Sequence, residues 1–495
     1  MTEGYDLLVI GGGINGAGIA RDAAGRGMKV LLVEKDDLAS HTSSASTKLV
    51  HGGLRYLEHY EFRLVAESLR EREVLLRNAP HIIWPLRFVM PHEPSMRPKW
   101  MLRLGLALYD RIGGRMSLPR SRAVDLRVAP HRNTLQDRLK SGFEYSDCWV
   151  EDARLVVLTA KDAEERGAEV LVRTECTGLK RANDSWTATL RDSSGERTIT
   201  ARAVVNAAGP FVDRVAKDAL GQGTPAHLRL VKGSHIIVSR RFPGEHAYLF
   251  QQPDGRIVFA IPYERDFTLI GTTDLLYDGD LDAVRIAPDE ITYLCEAASP
   301  YFASAITEDE IVSTYSGVRP LYEDNAASNS TVTRDYVFEL EAEGGAPILS
   351  VYGGKITTYR KLAEHALEKL GKVFDMPGEA WTAHAPLPGG DIPKGDFAAF
   401  LWSASERHDW LPPEMLLRLA RAYGTRLDAV IGAARSVDDL GAHMGGNLYE
   451  AELRYLVDAE YARTADDVLW RRSKLGLHLP PDAQQAVADW FAARP

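Results

Sequence analysis

The sequence predicts an α/β protein that combines a nucleotide-binding Rossmann unit, an antiparallel β-sheet domain and a C-terminal all-helical domain. Three observations support this fold class. An apolar run, a glycine turn, a small-residue helix and a second apolar run follow one another between Tyr5 and Glu34. Alternating apolar and polar residues, typical of antiparallel strands, occupy 228–273. Helical periodicity dominates 397–495.

Length and composition indicate a soluble globular protein of two or three domains. The chain has 495 residues, 45% hydrophobic and 26% charged. A net charge of −10 argues against nucleic acid as the main partner, because such proteins need a basic face. We expect a cytoplasmic protein, since no signal peptide precedes the first strand and no apolar run of about 20 residues could span a membrane. The three distant cysteines are expected to be reduced core residues.

The first turn has the G-x-G-x-x-G spacing of a dinucleotide site at Gly11, Gly13 and Gly16. The first glycine permits the tight turn, the second lets the backbone approach a pyrophosphate, and the third lets the helix lie close to the strand. Glu34 ends the second apolar run, where a ribose diol is held, and its charge disfavours NADP. The motif alone does not distinguish NAD from FAD.

A hydroxyl-rich stretch, 41–48, follows the fingerprint directly. Its Ser and Thr hydroxyls and Lys48 are interpreted as wrapping the phosphate-bearing cofactor, although such stretches also form plain surface loops. A helix is predicted from Glu61 to Asn78. Another helix, within 97–115, is either an interfacial helix on an anionic membrane or a mostly buried helix, and its pattern alone favours burial.

Two later segments are predicted to return to the nucleotide. Residues 203–210 form a buried strand ending in small residues, although a merely structural turn fits this segment almost as well. Residues 348–361 form a strand, a double glycine and a helix start at 355–358, whose N–H groups and dipole would face a bound group. Pro253–Arg256 marks a hairpin within the sheet domain, and a Pro- and Gly-rich boundary at 371–396 precedes the helical tail. The default role of the tail is a cap or a subunit contact.

Several cations fall at strand ends and in loops of an acidic protein. They are Arg55, His235, Arg319, Arg334 and Lys355. Arginine forks bind carboxylate or phosphate, so together these residues suit a small anionic substrate. Each taken alone is better explained as a surface cation or a structural ion pair, because surface charges are common. No H-E-x-x-H, C-x-x-C or G-x-S-x-G motif is present, so we expect no zinc or other metal site and no nucleophilic serine.

Long motifs identify a family resemblance over nearly the whole chain. The segments 10–27 and 353–366 resemble the two signatures of FAD-dependent glycerol-3-phosphate dehydrogenases, and 48–57, 142–149, 232–235, 270–274 and 315–320 extend the similarity. The resemblance implies FAD rather than NAD, a glutathione-reductase-like FAD domain, and oxidation of sn-glycerol 3-phosphate to dihydroxyacetone phosphate. It further implies membrane quinone as acceptor and a homodimer attached peripherally to the cytoplasmic face of the inner membrane.

The sequence patterns and the resemblance together predict the domain bounds. An FAD-dependent oxidoreductase region is predicted at 1–388 and a helical domain at 389–495. Within the first region, the FAD-binding parts are about 1–80, 145–220 and 345–372. The substrate-binding sheet domain is about 81–144 and 221–344.

Site roles are assigned as hypotheses. The substrate phosphate is expected to contact Arg55, Tyr56, Thr272 and Arg334, with help from His235. Hydride transfer from C2 to flavin N5 needs a base for the O2 proton, for which His235, Lys355, His51 or a water remain open, while Arg319 and Lys355 stabilise negative charge. The expected FAD-binding residues are Gly11, Gly13, Ile14, Asn15, Gly16, Glu34, Lys35, Thr42, Ser43, Ser44, Lys48, Gly209, Gly354, Lys355, Ile356 and Thr357.

Three other functions fit parts of the sequence. A glycerol-3-phosphate oxidase would use the same site and pass electrons to O2. An amine or amino-acid oxidase of the same flavin superfamily is less compatible with the phosphate-suited cations. A non-catalytic redox sensor would bind the dinucleotide without turnover and use the helical tail as a partner contact.

Overall fold

The computed structural model describes residues 3–94, 96–221, 228–253, 255–322 and 335–494. Within these residues the strands are β1 (Glu3–Ile10), β2 (Val30–Val33), β3 (Leu49–Val50), β4 (Ile83–Pro91), β5 (Arg122–Asp125), β6 (Ser141–Val150), β7 (Glu169–Leu171), β8 (Glu175–Arg181), β9 (Trp186–Asp192), β10 (Gly195–Asn206), β11 (Leu228–Ser239), β12 (Ala247–Gln251), β13 (Ile257–Tyr263), β14 (Phe267–Gly271), β15 (Leu275–Leu276), β16 (Ile311–Tyr322), β17 (Val337–Glu341), β18 (Ile348–Tyr352), β19 (His443–Gly445) and β20 (Leu448–Tyr449). The α-helices are α1 (Ile14–Gly25), α2 (Phe62–Asn78), α3 (Lys99–Ile112), α4 (Asp152–Glu165), α5 (Val212–Leu220), α6 (Pro288–Ala298), α7 (Tyr359–Leu370), α8 (Phe397–Arg407), α9 (Pro413–Tyr423), α10 (Leu427–Ile431), α11 (Glu450–Ala459) and α12 (Pro481–Ala492).

The first sheet contains the predicted nucleotide unit. Its main path runs β17-β18-β10-β1-β2-β7, with β9 beside β10 and β8 beside β9. Strand β1 lies parallel to β2 and β10, and β10 lies parallel to β18. The carboxyl ends of β1, β10 and β18 therefore meet at one edge, which is where ligands bind in open α/β sheets. Thus the two later returns of the chain come back beside the first turn.

The second sheet is mostly antiparallel and lies over that edge. Its main path runs β15-β11-β14-β13-β12-β4-β6-β3, with β16 paired to β11 and β5 paired to β6. The predicted antiparallel character of 228–273 is confirmed, and β12 and β13 form the predicted hairpin, whose Asp254 lies outside the described residues. The long β11–β16 pair places His235 opposite Tyr315 and Val231 opposite Arg319.

Helix α3 corrects one expectation. Its apolar pattern favoured a mostly buried helix, but only Leu106 and Tyr109 of its residues are buried. Trp100 and Leu104 are 65% and 64% exposed, and Leu108 is also exposed. The prediction was wrong because a helix is buried only where other elements cover it. The sequence pattern does not reveal that one face of α3 is left uncovered. No helix among the described residues is long and apolar enough to cross a membrane.

The C-terminal part is helical around its own core, with one short hairpin formed by β19 and β20. Buried ion pairs join it to the first part. The Arg154 guanidinium donates to Glu460 at 2.9 Å, and that of Arg472 donates to Asp37 at 2.8 Å. The domain bounds stay a prediction, and the bound drawn between residues 144 and 145 falls within β6. All three cysteines are free and buried, as expected of core residues.

Candidate active site

The turn between β1 and α1 has no room for side chains. A Cβ on Gly11 would lie 2.6 Å from the carbonyl oxygen of Ala207, and Gly11 has a φ of +112°. A Cβ on Gly16 would lie 1.9 Å from the carbonyl oxygen of Gly11. The third glycine thus stands where close helix–strand packing needs it, and the N-terminus of α1 opens at the sheet edge. There the N–H of Ile14 donates to Ser43 Oγ at 3.0 Å.

Glu34 lies at the end of β2 with its carboxylate held by backbone donors. The N–H of Gly12 donates to one oxygen at 2.7 Å, and the N–H of Asp36 donates to the other at 2.8 Å. Burial raises the pKa of the Glu34 carboxyl above its ordinary value, although these donors and His41 oppose the rise. A buried acid beside the glycine turn is placed to accept hydrogen bonds from a diol.

A cavity of about 430 Å³ lies between the two sheets and begins at this turn. It collects most of the residues that the sequence analysis selected. Those that line it are Gly11, Gly13, Ile14, Asn15, Glu34, Lys35, Thr42, Ser43, His51, Tyr56, Gly209, His235, Thr272, Arg319, Gly354, Lys355, Ile356 and Thr357. The remaining selected residues do not line it, namely Gly16, Ser44, Lys48 and Arg55. Arg334 lies outside the described residues.

Lys48 corrects the expectation that it wraps a phosphate. Its side chain is 1% exposed, and its ammonium donates to Asp152 at 2.8 Å and to the carbonyl of Ser44 at 3.1 Å. The ammonium also lies 5.0 Å from the centroid of the Tyr315 ring. Lys48 therefore anchors the hydroxyl loop from behind. Sequence could not reveal this, because Asp152 is distant in the chain.

The third return is joined to the first turn by a side-chain hydrogen bond. The Asn15 amide donates to the carbonyl of Gly353 at 3.0 Å, while its Oδ1 is buried without a hydrogen-bond partner within the described residues. A left-handed Gly354 leads to Lys355, the residue before the 3-10 turn Ile356–Thr358 that opens α7. The Lys355 ammonium lies 4.2 Å from the ring centroid of Tyr56. This end of the cavity thus presents a cation beside a helix start.

His235 faces the cavity from the second sheet and is 2% exposed. Its Nε2 lies 3.0 Å from Thr47 Oγ1, and its ring stacks on Tyr315 with centroids 4.7 Å apart. Nδ1 is buried and has no hydrogen-bond partner in the described part of the chain. Burial, with Lys48 and Arg319 nearby, lowers the pKa of His235 to about 3, so the imidazole is neutral at neutral pH.

Arg319 and Thr272 complete the polar end of the cavity. Arg319 Nη2 donates to the carbonyl oxygen of Thr273 at 3.0 Å, and Nη1 lies 3.7 Å from Asp274. A Cβ on Gly233 would lie 2.5 Å from Arg319 Nη2 and 2.7 Å from Thr272 Oγ1, so a side chain there would displace both. The arrangement can bind a small anion and accept a proton next to it.

Thr47 and Gly233 are among the lining residues that the sequence-based site did not include. Thr47 contacts His235, and Gly233 makes room for Arg319. Thr47 belongs to the hydroxyl-rich stretch and Gly233 to one of the family-like motifs, so both lay in segments with a detectable signal. Their partners are set by the pairing of distant strands, which the sequence does not display.

Two family models match this chain. A family model described as FAD dependent oxidoreductase matches residues 6–360, and one described as C-terminal domain of alpha-glycerophosphate oxidase matches 380–493. A glycerol-3-phosphate dehydrogenase of Pseudomonas aeruginosa is 52% identical over 493 residues, which cover 99% of this chain and 96% of that protein.

Two further relatives add detail. A D-erythritol 1-phosphate dehydrogenase of Brucella abortus is 51% identical over 491 residues, which cover 99% of this chain and 98% of that protein. The crystal structure of the glycerol-3-phosphate dehydrogenase from Bacillus halodurans complexed with FAD matches with a TM-score of 0.80 at 31% identity. That match covers 99% of this chain and 90% of the other.

Proposed function

Because the chain belongs to the FAD-dependent oxidoreductase family, we propose that it oxidises sn-glycerol 3-phosphate to dihydroxyacetone phosphate with FAD as cofactor. The resemblance found in the sequence is confirmed by relatives named glycerol-3-phosphate dehydrogenase. The observation that supports the substrate class is that one cavity is lined both by the dinucleotide cradle and by Arg319, Lys355 and neutral His235.

The residues present fit FAD. Gly13, at the N-cap of α1, lets the backbone approach a pyrophosphate, and Glu34 suits the ribose diol. The buried Asn15 Oδ1, without a hydrogen-bond partner in the described residues, is an acceptor at the same cavity wall. When bound, FAD supplies the hydride acceptor for the reaction.

The protein's own part is to hold the substrate anion and to move the O2 proton. Arg319 and Lys355 supply positive charge for a phosphate and for negative charge that develops on O2. His235 is the strongest candidate for the base, because the ring is neutral and Nδ1 has no hydrogen-bond partner within the described residues. A phosphate dianion beside Arg319 would offset one cation that lowers the pKa of His235, which makes the ring a better base when substrate is present.

D-erythritol 1-phosphate is a second candidate substrate. The chain is as similar to the Brucella abortus dehydrogenase for that compound as to the Pseudomonas aeruginosa enzyme, at 51% and 52% identity. Both compounds are polyol phosphates, so the anion-binding end of the cavity serves either one. The choice between them depends on room for one more carbon.

Anaerobic bleaching of the flavin tests the function directly. We expect the yellow protein to lose its visible absorbance on addition of sn-glycerol 3-phosphate but not of glycerol, which lacks the anion. Faster bleaching by D-erythritol 1-phosphate would assign the second substrate. If dithionite bleaches the flavin and neither polyol phosphate does, the proposal is wrong.

Membrane quinone is the acceptor that we propose, at the cytoplasmic face of the inner membrane. Support comes from α3, where Trp100, Leu104 and Leu108 are exposed next to Lys99 and Arg103. An apolar face flanked by cations suits an anionic bilayer surface. Quinone reduction should exceed hydrogen peroxide production in the same preparation, and the reverse result would favour an oxidase.

We also propose that the protein forms a homodimer. Sedimentation, which measures the mass of the particle in solution, tests this proposal.

A further inference from the structure

A buried carboxylate stands behind the polar end of the cavity. Glu290 lies in the first turn of α6, is 1% exposed and does not line the cavity. Its Oε1 accepts from Ser234 Oγ at 2.8 Å and from Thr273 Oγ1 at 2.7 Å. Its Oε2 accepts from the N–H of Ala287 at 2.9 Å and lies 2.7 Å from the Lys232 ammonium.

Two of these donors are direct chain neighbours of site residues. Ser234 precedes His235 on β11, and Thr273 follows Thr272. The N–H of Ser234 donates to Thr273 Oγ1 at 2.9 Å, which joins the two segments. The carbonyl of Thr273 accepts from Arg319 at 3.0 Å. One carboxylate therefore holds the backbone beneath three cavity residues.

Strand β16 is linked to the Glu290 carboxylate as well. Ser234 Oγ and Ser316 Oγ lie 2.8 Å apart, so Ser316 can donate to Ser234 while Ser234 donates to Glu290. Burial raises the pKa of the Glu290 carboxyl, but Lys232 and the other donors outweigh it and the net shift is downward. An ionised carboxylate accepts all four donors, whereas an amide offers one oxygen.

We propose that Glu290 is a positioning residue that fixes His235, Thr272 and Arg319 for the oxidation. It acts through Ser234 and Thr273 and touches neither substrate nor cofactor. The proposal rests on the proposed function for its kinetic readout. If Glu290 only stabilised the fold, its replacement would lower the free energy of unfolding and leave the rate of flavin bleaching unchanged.

The Glu290→Gln holoenzyme tests this role. The amide keeps the size of the side chain but places an NH2 donor against other donors. We expect flavin bleaching at saturating sn-glycerol 3-phosphate to slow by about 100-fold, as small misplacements of catalytic groups do. Dithionite reduction and flavin content should equal those of the wild type, because neither depends on the placement of His235 or Arg319.

Glu452→Gln is the matched control. Glu452 is 3% exposed and accepts from Arg418 and Tyr423, but it lies in α11, away from the cavity. We expect it to lower the melting temperature and leave bleaching at the wild-type rate. Bleaching of Glu290→Gln within about threefold of wild type, or equal slowing in both variants, would overturn the proposal.

Thr273→Val tests the route of the effect. It removes the hydroxyl that donates to Glu290 and keeps the carbonyl that Arg319 contacts. If Glu290 acts through Thr273, the combined variant should be less impaired than the product of the two single losses. Multiplicative losses would contradict that route, and Thr273→Ser should restore most of the rate.

A titration with inorganic phosphate separates this proposal from the proposed function. Phosphate binding is followed through the perturbed flavin spectrum and needs no turnover. We expect the dissociation constant for phosphate to be about 10-fold higher in Glu290→Gln than in the wild type, because one charge-assisted contact is misaligned. The dissociation constant of Glu452→Gln should equal that of the wild type. If the wild type is not bleached but this shift appears, the substrate assignment fails and the positioning role stands. Equal phosphate affinity in wild type and Glu290→Gln would refute the positioning role.

Discussion

The hydroxyl of Thr47 lies 3.0 Å from Nε2 of His235, while the other ring nitrogen, Nδ1, is buried and has no hydrogen-bond partner within the described residues. The Thr47 hydroxyl can accept a proton carried by Nε2, and in that tautomer Nδ1 is the basic atom. Thr47 thus orients the group that is the candidate base. Thr47 belongs to the hydroxyl-rich loop that runs from β2 of the first sheet to β3 of the second, whereas His235 lies on β11.

Thr47→Val should slow the oxidation without loss of FAD. The isosteric side chain removes one hydrogen bond, so we expect kcat to fall about 10-fold. Steady-state kinetics with sn-glycerol 3-phosphate provide the measurement. Thr47→Ser keeps the hydroxyl and should remain within about twofold of wild type. A Val variant with the wild-type kcat would show that this contact does not orient the ring.

Arg319→Ala should abolish turnover while the protein remains yellow. The guanidinium and Thr272 line the cavity on either side of Gly233, and the loss of the guanidinium removes a charge-assisted contact to the substrate anion. We expect a loss of at least about 100-fold in kcat/KM. Flavin absorbance and kcat/KM are measured on the same preparation. Arg122→Ala, at a largely exposed arginine of β5, is the control and should retain activity. Retained turnover in the Arg319 variant would place the substrate elsewhere.

Glu34→Ala should weaken FAD retention. The carboxylate lies at the end of β2 beside the glycine turn, so its removal takes away the acceptor for the ribose diol. We expect the dissociation constant for FAD to rise about 10- to 100-fold. The ratio of flavin to protein absorbance after dialysis measures it. Glu196→Ala, at an exposed glutamate of β10, should stay fully flavinated. A fully flavinated Glu34 variant would refute the ribose role.

Acid should destabilise the fold through buried neutral histidines. The pKa of His235 falls from 6.5 to about 3 because of burial first and Lys48 and Arg319 next. Between these values the unfolded chain binds a proton that the folded chain refuses, so stability falls as pH drops below 6.5. The contribution is about 1.4 kcal/mol per pH unit.

Denaturant unfolding at pH 6.5 and 4.5 provides the measurement for this effect. The glutamine of His235→Gln does not titrate. The free energy of unfolding of this variant should therefore change less with pH than that of the wild type, by about 1.4 kcal/mol per pH unit. His81, whose pKa is also lowered to about 3 by burial, supplies an independent second case. Equal slopes in wild type and in the His235 variant would contradict the expectation.

Removing the exposed apolar face of α3 should weaken membrane attachment. The double variant Trp100→Ser, Leu104→Ser loses two large apolar side chains, and we expect vesicle affinity to fall about 100-fold. Co-sedimentation with vesicles of anionic phospholipid measures it, with anaerobic bleaching as a check on the site. Trp402→Ser is matched in exposure, at 64% against 65% for Trp100, and should bind vesicles normally. Unchanged binding of the double variant would exclude α3 as the contact.

Local patterns predicted the elements well and their exposure less well. β1, α1 and β2 were predicted because apolar runs and glycines specify them through short-range geometry. The exposed face of α3 was not predicted, since exposure depends on which other element covers a helix. The role of Lys48 was predicted wrongly because its ion-pair partner, Asp152, is distant in the chain.

The sequence by itself determined the dinucleotide cradle, the family and many of the polar residues that line the cavity. Spacing of glycines, a terminal acid and long motifs depend on neighbours in the chain, so they can be read without coordinates. The tertiary structure alone decided which side chains meet: Thr47 with His235, Lys48 with Asp152, and Glu290 beneath Thr273. These contacts join distant segments, and their hydrogen bonds form only when strand pairing brings those segments together in a buried setting.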